Sequence, residues 1–369
     1  MTMTHDTQAG AKPADPPWTF QGGGQNNFCW NYLDPGRADV LLLYDKAKRR
    51  QWDASQRLDW SEELDPDNPM QLDASMIPIH GSSLWKRLSA AERRQVQVHT
   101  QAHTISQFLH GEQGAMLAAS RVVQNLDSID AKLFAATQVM DEARHVEAYS
   151  RLLREKFSMQ YPISPALKHL LEDGLSASEW DMALLTMQVL VENVALASFQ
   201  RIRDNSTANL ATAVNAYVMQ DEARHVAFGR IVLRDYYRQL SAPERARREA
   251  FVLESLSQIK QSFVQREVWE RLGFPVAQCV HLVDSSPAAA AFLDLLLRRV
   301  VPVFHEIGLW GSSLRDQLAL LGGERYLQLD PEASQHADEA FADAIDSALQ
   351  HITSTSQSGS NGHVHSESD

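Results

Sequence analysis

Apolar residues recur at a helical spacing along most of this chain, and segments of alternating apolar and polar residues are nearly absent. The longest such patterns predict four helices, over about 90–125, 128–157, 177–204 and 207–239. The connections within the first pair and within the second pair are short, which favours antiparallel neighbours. The sequence therefore predicts an all-α fold built around a four-helix bundle.

Further helices are predicted on both sides of this bundle. A pattern over 37–54 predicts an N-terminal helix. A second pattern, from 240 to about 272, predicts a long C-terminal helix that two or three shorter ones follow. No Pro/Gly-rich linker divides the middle of the chain, so residues 18–351 are predicted to form one domain, with the core bundle at about 90–240.

Helix starts are predicted where a serine is followed three residues later by a glutamate, because the two side chains cap the free N–H groups of the first turn. Such capping boxes stand at Ser89–Glu92, Ser176–Glu179 and Ser241–Glu244. By contrast, residues 1–17 and 352–369 are polar and rich in proline, serine or glycine. Neither end contains enough apolar residues to offset the entropy lost on ordering, so both are predicted to be disordered.

Composition and charge exclude several classes of protein. The formal net charge of -13 over 369 residues argues against nucleic-acid binding. Only two cysteines are present, which excludes a disulfide scaffold and a cysteine-built zinc site. The first residues lack the features of a signal peptide, and no run approaches the roughly 20 apolar residues of a membrane span. A cytoplasmic protein without a membrane partner is therefore expected.

The feature that carries chemistry is a duplicated string. Residues 141–146 and residues 221–226 both have the sequence Asp-Glu-Ala-Arg-His-Val. In a helix, a glutamate and a histidine three residues apart project from nearly the same face. Glu142 with His145 and Glu222 with His225 can therefore each offer an oxygen and a nitrogen ligand to a metal ion.

Two further glutamates complete a possible di-metal site. Glu112 and Glu192 each precede the glutamate of the nearest motif by 30 residues, and both lie in mostly apolar helical stretches. An ionised carboxylate on such a face is costly unless it is paired or binds a metal. Four carboxylates and two histidines from four helices match the ligand set of the di-iron and di-manganese bundles.

The residues beside these ligands are predicted to support them. A metal-bound imidazole usually donates its other N–H to a carboxylate or carbonyl. We expect a crosswise arrangement, in which Asp141 holds His225 and Asp221 holds His145, with Arg144 and Arg224 neutralising the aspartates. Ordinary surface ion pairs are the alternative for these four residues.

At these residues the sequence resembles the ferritin-like di-iron carboxylate superfamily, over roughly residues 90–240. It is most similar to the oxygen-activating branch: bacterial monooxygenase hydroxylases, acyl-carrier-protein desaturases and ribonucleotide reductase small-subunit-like oxidases. The resemblance implies a ferritin-like four-helix bundle with two iron ions, or a manganese–iron pair, and O2 as co-substrate. It implies an enzyme that hydroxylates, N-oxygenates or desaturates a hydrophobic or aromatic substrate.

The sequence departs from this superfamily at three positions. Leu196 and Ala195 stand where the hydroxylases and the desaturases, respectively, carry a threonine. Val218 stands where the aryl-amine N-oxygenases carry an extra histidine ligand, which predicts that the chain is not a close member of that group. Tyr149 stands where ribonucleotide reductase small subunits carry a radical-forming tyrosine. It is therefore a candidate catalytic residue, as a redox group, a proton donor or a pocket wall.

A substrate pocket is predicted one helical turn from the ligands. Besides Tyr149, its predicted lining is Phe108, Ala115, Met116, Ala195, Leu196, Phe199, Val218 and Gly229. The resemblance implies an external electron donor, such as a reductase or ferredoxin, because the chain carries no flavin or iron–sulfur motif. A homodimer is left open. The alternative function is a radical-storing or ligand-binding metal protein, similar to the ribonucleotide reductase small subunit, without monooxygenase activity.

Overall fold

Within residues 18–21, 27–30, 36–126 and 128–360, which the computed structural model describes, the chain is mainly helical. The helices are α1 (Ala38–Arg49), α2 (Ala54–Arg57), α3 (Ser83–Arg87), α4 (Ala90–Asn125), α5 (Ile129–Leu152), α6 (Pro165–Ser176), α7 (Trp180–Leu184), α8 (Glu192–Asn205), α9 (Asn209–Tyr237), α10 (Ala242–Ser262), α11 (Arg266–Arg271), α12 (Val276–Asp284), α13 (Pro287–Glu306), α14 (Ser312–Leu320) and α15 (Pro331–Ser360). The predicted all-α class is confirmed.

The central bundle consists of α4, α5, α8 and α9, as the sequence predicts. Helix α4 packs along α5, and α8 packs along α9. The capping box at Ser89 starts α4, and the one at Ser241 starts α10. The third prediction is wrong: Ser176 is the last residue of α6, so it cannot cap the next helix, which begins at Trp180.

Two helices of the bundle contain π-helical turns, in which each carbonyl accepts from the N–H group five residues later. One π segment, Leu153–Phe157, follows directly on the last residue of α5. The other, Leu185–Val191, joins α7 to α8 and stops immediately before Glu192. Such a turn holds more residues than an α-helical turn, so it rotates the side chains that follow it. The second π segment therefore helps to set the direction of Glu192.

The joined segment Trp180–Asn205 is long and apolar enough to cross a membrane by length and composition, whereas no membrane span is predicted above. In the fold, 83% of its most apolar window is buried inside the protein. A buried core helix passes the same test as a membrane span, so the segment is weak evidence for one.

Two elements at the ends of the described chain also differ from expectation. Strand β1 (Trp18–Gln21) pairs antiparallel with β2 (Asn27–Trp30), although the sequence shows few alternating patterns. Helix α15 continues to Ser360, past the predicted start of the tail at 352. Extending an existing helix gains one hydrogen bond per residue, so α15 runs on into the serine-rich segment. The predictions for residues 1–17 and 361–369 lie outside the described residues.

Candidate metal centre

All six predicted ligand side chains converge in the middle of the bundle. Helix α4 supplies Glu112, α5 supplies Glu142 and His145, α8 supplies Glu192, and α9 supplies Glu222 and His225. None of the six is more than 4% exposed. Within each motif, the glutamate and the histidine are three residues apart, so their side chains lie on one face of the helix, about one turn apart.

The ligand atoms form two groups that share their central members. In one group, atoms of Glu112, Glu142, His145 and Glu222 lie within 4.8 Å of one another. In the other group, atoms of Glu142, Glu192, Glu222 and His225 do so. Glu142 and Glu222 belong to both groups, so they would be shared by two metal ions, whereas Glu112 and Glu192 each belong to one group.

Each histidine is oriented by an aspartate from the other motif. His145 Nε2 donates to Asp221 Oδ2 at 3.1 Å, and His225 Nε2 donates to Asp141 Oδ2 at 3.2 Å. This is the crosswise arrangement that the sequence predicts. A neutral imidazole that donates from Nε2 presents the lone pair of Nδ1, so both rings are held ready to bind a metal through Nδ1.

The arginines of the two motifs are buried with the aspartates. Arg144 donates to Asp141 at 2.5 Å and to Asp221 at 2.8 Å, and Arg224 donates to Asp221. Neither arginine is more than 4% exposed. Surface ion pairs, the alternative that the sequence left open, are therefore excluded.

The donor set fits a pair of cations. His145 Nδ1 faces carboxylate oxygens of Glu112, Glu142 and Glu222 at 3.2–3.4 Å, which is unfavourable for a lone pair unless a cation lies among them. Buried Oε2 atoms of Glu142 and Glu192 accept no hydrogen bond from any described residue. Buried polar atoms normally require a partner, and metal ions would provide one for these two oxygens.

Electrostatics within the cluster support the same fit. Burial is the main cause that raises the pKa of Glu112 and of Glu192 well above the usual value, and the nearby Glu222 carboxylate is the second. Burial acts in the same direction on Glu142, but His225 and His145 outweigh it and lower the pKa of Glu142. Carboxylates this close cannot all ionise without compensating positive charge, which two divalent cations would supply.

A cavity of about 100 Å³, which we call the inner cavity, adjoins this cluster. Glu112, Glu192 and Glu222 form one end of it. The apolar part of its wall consists of Phe108, Ala115, Leu167, Met187, Val191, Val194, Ala195, Phe199 and Phe263. Four of the predicted pocket residues, Phe108, Ala115, Ala195 and Phe199, line this cavity.

The other four residues predicted for the pocket do not line the inner cavity, which lies on the i+3 side of Glu112 and Glu192 rather than on the i+4 side. Met116 and Leu196, at i+4, turn away from it, and Leu196 lines a smaller cavity across α8. Val218 is fully buried but does not line the inner cavity. Gly229 instead allows α9 to approach the π segment before α8, since a Cβ there would lie 2.4 Å from Gln188 Cβ.

Tyr149 packs behind the cavity wall and does not line it. Its ring lies 5.5 Å from that of Phe108 and 5.7 Å from that of Phe199, measured between centroids. Its hydroxyl donates to Asn215 Oδ1 at 3.3 Å. Burial, with the nearby Glu112 and Glu222 charges, raises the pKa of Tyr149 well above the usual value. Tyr149 is therefore separated from the inner cavity by Phe108 and Phe199, and its redox or proton-donor role stays a prediction.

Several supporting residues were not predicted. Gln138 donates to Glu142 Oε1 at 3.1 Å and to Glu192 Oε1 at 2.9 Å. It precedes Glu142 by one helical turn, and this spacing could have identified it. Trp52 Nε1 donates to Asp221 Oδ2 at 2.7 Å, and Gln51 Nε2 donates to Asp141 Oδ1 at 2.7 Å. These two lie beside α1, far from the motifs in sequence, and no local pattern marks them.

The family model of the p-aminobenzoate N-oxygenase AurF matches residues 36–308 of this chain. The chain belongs to the AurF family. The sequence-based prediction from Val218, that the chain is not close to the aryl-amine N-oxygenases, is therefore wrong. One side chain inside a buried site is a weaker guide to membership than a match over well over half of the chain.

Two solved structures illustrate a distant similarity in fold. One is a tyrosine-to-phenylalanine mutant of an R2-like ligand-binding oxidase with an anaerobically reconstituted Mn/Fe cofactor. It is 16% identical, with a TM-score of 0.46 over 72% of this chain and 94% of that chain. Another is an R2-like ligand-binding oxidase with an aerobically reconstituted metal cofactor after photoconversion. It is also 16% identical, with a TM-score of 0.41 over 85% of this chain and 93% of that chain. No curated protein matches this chain.

Membership in the AurF family confirms the predicted enzyme class. This chain is an O2-dependent di-iron oxidoreductase of the ferritin-like superfamily, and the buried Glu/His cluster fits its di-iron site. The alternative, a radical-storing or ligand-binding protein without oxygenase activity, has no better support. The ligand role of each of the six side chains stays a prediction that metal analysis can test.

Proposed function

We propose that this protein N-oxygenates an aromatic amine that binds in the inner cavity. The observation that carries the proposal is the composition of this cavity, in which three predicted metal ligands form one end and apolar or aromatic side chains form most of the wall. Such walls favour a ring, while the polar end fixes its orientation. The family takes its name from a p-aminobenzoate N-oxygenase, which makes an aryl amine the first candidate.

The size of the inner cavity favours a single ring at the metal end. An engineered apolar cavity of about 150 Å³ binds benzene, so the inner cavity of about 100 Å³ would hold one ring after small movements of flexible neighbours such as Met187. Phe108 and Phe199 meet edge to face, with their centroids 4.6 Å apart, and would present aromatic surface to that ring.

The protein's own residues would hold the centre and exclude water. Glu112, Glu142, His145, Glu192, Glu222 and His225 would hold two iron ions, which supply electrons to O2 and the power to oxidise the substrate. Asp141 and Asp221 keep the N–H on Nε2 of each histidine, so that Nδ1 stays available. The apolar wall keeps bulk water from the end of the cavity formed by the carboxylates.

The balance of the reaction requires a separate electron donor. One oxygen atom of O2 would enter the amine, and the other would leave as water with two protons and two electrons. Iron–sulfur clusters are usually held by four cysteines, and this chain has two. We therefore propose an external reductase or ferredoxin. A cytoplasmic location remains a prediction, which cell fractionation would test. Light scattering would show whether the protein forms the homodimer that the sequence leaves open.

Single-turnover oxidation of an aryl amine tests the function. The protein is loaded anaerobically with ferrous iron, given an aryl amine and then O2, and the product is analysed by mass spectrometry for one added oxygen atom. Ala195→Phe fills the inner cavity and should abolish product while it leaves iron content unchanged. Leu196→Phe, on the next residue but outside the inner cavity, should retain product. Iron-loaded wild type that consumes O2 but oxidises no aryl amine would refute the proposal.

A further inference from the structure

A second cavity, which we call the outer cavity, adjoins the inner one. It also measures about 100 Å³, and the two cavities share Thr104, Ser198, Phe263 and Gln265 as wall residues. The rest of its wall is mostly apolar and comes from the segment before α3, from α4, α8 and α13: Met70, Leu72, Asp73, Met76, Ile77, Pro78, Thr100, Gln101, Ile105, Arg201, Ile202 and Phe292.

Arg201 gives the outer cavity an uncompensated positive charge. Its guanidinium donates one hydrogen bond, to the Met76 carbonyl at 2.9 Å, and it forms no ion pair with any described residue. Burial lowers the pKa of Arg201, which reflects the cost of removing this cation from water without a carboxylate partner. Asp73 is the carboxylate in the wall, but it is exposed and accepts from the Ser75 N–H group.

Gln265 places an unused acceptor between the two cavities. Its amide nitrogen donates to Thr104 Oγ1 at 3.0 Å and to the Thr100 carbonyl at 3.2 Å. Its Oε1 is buried and accepts no hydrogen bond from any described residue. The backbone of Gln265 has a φ of 52°, a conformation that L-residues rarely adopt. A donor on a bound ligand would satisfy this oxygen.

We propose that the outer cavity binds the carboxylate of an elongated aromatic substrate through Arg201, while the aryl amine at the other end of that substrate lies in the inner cavity. This inference rests on the proposed function and adds the substrate class. A guanidinium matches a carboxylate through paired N–H donors, and such charge-assisted bonds are strongest where water is excluded. An N–H or O–H group along the linker would donate to Gln265 Oε1.

The distance between the two ends sets the length of this substrate. Arg201 follows Glu192 by nine residues in α8, which corresponds to about 13 Å along the helix axis at 1.5 Å per residue. A single-ring amino acid such as para-aminobenzoate is shorter than this backbone separation. We therefore expect several linker atoms between the ring and the carboxylate.

Equilibrium binding without turnover tests this inference. Calorimetry is performed on the ferrous protein under anaerobic conditions, with para-aminophenyl-hexanoate, its carboxamide and para-aminobenzoate as probes. Wild type should bind the hexanoate about ten-fold more tightly than the carboxamide, as expected for hydrogen bonds to a charged group. Arg201→Gln should remove this preference, and Arg238→Gln, an exposed arginine outside both cavities, should retain it. The affinity for para-aminobenzoate should not depend on Arg201.

The outcomes separate this inference from the proposed function. No preference for the acid in wild type, or an equal preference in Arg201→Gln, would overturn the inference even if aryl amines are oxidised. An Arg201-dependent preference without any oxidation of an amine would support the inference and refute the function. Arg201→Gln should also melt at or above the wild-type temperature, because it removes a half-buried cation without a carboxylate partner. A fall of about 5 °C or more would instead indicate a structural role.

Discussion

The two halves of the bundle have the same ligands and different surroundings. Each residue of the first half corresponds to the one 80 positions later, so that the first glutamates, the motif glutamates and the histidines all match. Phe108 then corresponds to Gln188, and Tyr149 to Gly229. In the first half, Phe108 and Tyr149 are aromatic neighbours. In the second half, the equivalent pair is a glutamine packed tightly on a glycine.

This difference explains why the metal centre is nearly symmetric while the substrate cavity is not. The aromatic pair gives the first half bulky side chains near the centre, and Phe108 lines the inner cavity. The glycine lets α9 close against the π segment before α8, which leaves no room for a ring on that side. The residues that match between the two halves thus supply the metal ligands. The residues that differ between them set the position of the cavity.

The largest expected effect is a loss of bound iron, which should be greater for the carboxylates that belong to both ligand groups than for those that belong to one. Glu142→Ala and Glu222→Ala should each reduce iron from about two per chain to well under one, because each side chain belongs to both ligand groups. Glu112→Ala and Glu192→Ala should each retain about one iron. Metal analysis after anaerobic ferrous loading measures this. Glu147→Ala, an exposed glutamate on α5, is the control and should keep both ions. Equal losses in all four ligand variants would contradict the bridging assignment.

The sequence predicted the part of the site that depends on local periodicity. The positions of Glu142 and His145 follow from the pitch of one helix, and duplication gives the second set. The pocket side was predicted less well, since Ala195 and Leu196 are both one turn from Glu192 and only packing decides between them. The π segment at Leu185–Val191 changes that packing, and its sequence does not differ visibly from a buried α-helix.

Contacts between distant segments could not be predicted from local pattern. Trp52 and Arg201 carry no ligand signature, and each acquires its significance from a partner far along the chain. Trp52 contacts Asp221, and Arg201 contacts the carbonyl of Met76. The overall fold was predicted more fully, because the helical patterns of α4 and α9 are long and require no such partner.

Stability measurements test the difference between Tyr149 and Gly229. Tyr149→Ala should lower the free energy of unfolding by about 3–5 kcal/mol, because it leaves a cavity between Phe108 and Phe199. Gly229→Ala should lower it by about 1–3 kcal/mol, because its Cβ would meet Gln188 Cβ at 2.4 Å. Urea unfolding of the metal-free proteins measures both. A neutral Gly229→Ala would show that the close approach of these helices is not required.

The two aspartates provide a smaller test of the asymmetry. Asp221 accepts hydrogen bonds from Trp52, Arg144, Arg224 and His145. Burial alone would raise the pKa of Asp221, but the nearby positive charges, that of Arg224 above all, lower it well below the usual value. Asp221→Asn should weaken iron binding toward the upper end of the 10–100-fold range that is typical of residues supporting metal ligands, as measured by chelator competition.

The equivalent change in the first motif is the matched control. Asp141 accepts from Gln51, Arg144 and His225, and no tryptophan among the described residues donates to it. Asp141→Asn should weaken iron binding toward the lower end of the same range. If the two variants lose affinity equally, the additional contact of Trp52 with Asp221 does not strengthen the site.

The smallest expected effect concerns Gln138 and its equivalent, Val218. Gln138 donates to Glu142 and Glu192, whereas Val218 is a fully buried apolar residue that cannot donate. Gln138→Val should weaken iron binding by up to about ten-fold, because two ligand carboxylates lose an orienting donor.

Val218→Gln should lower the free energy of unfolding by about 1–3 kcal/mol, because it buries an amide without a partner, and it should not tighten iron binding. Chelator competition and urea unfolding, performed on both variants, distinguish these effects. Tighter iron binding in Val218→Gln would mean that the second half can also accept an orienting side chain, so that the asymmetry at this position is not needed for the metal centre.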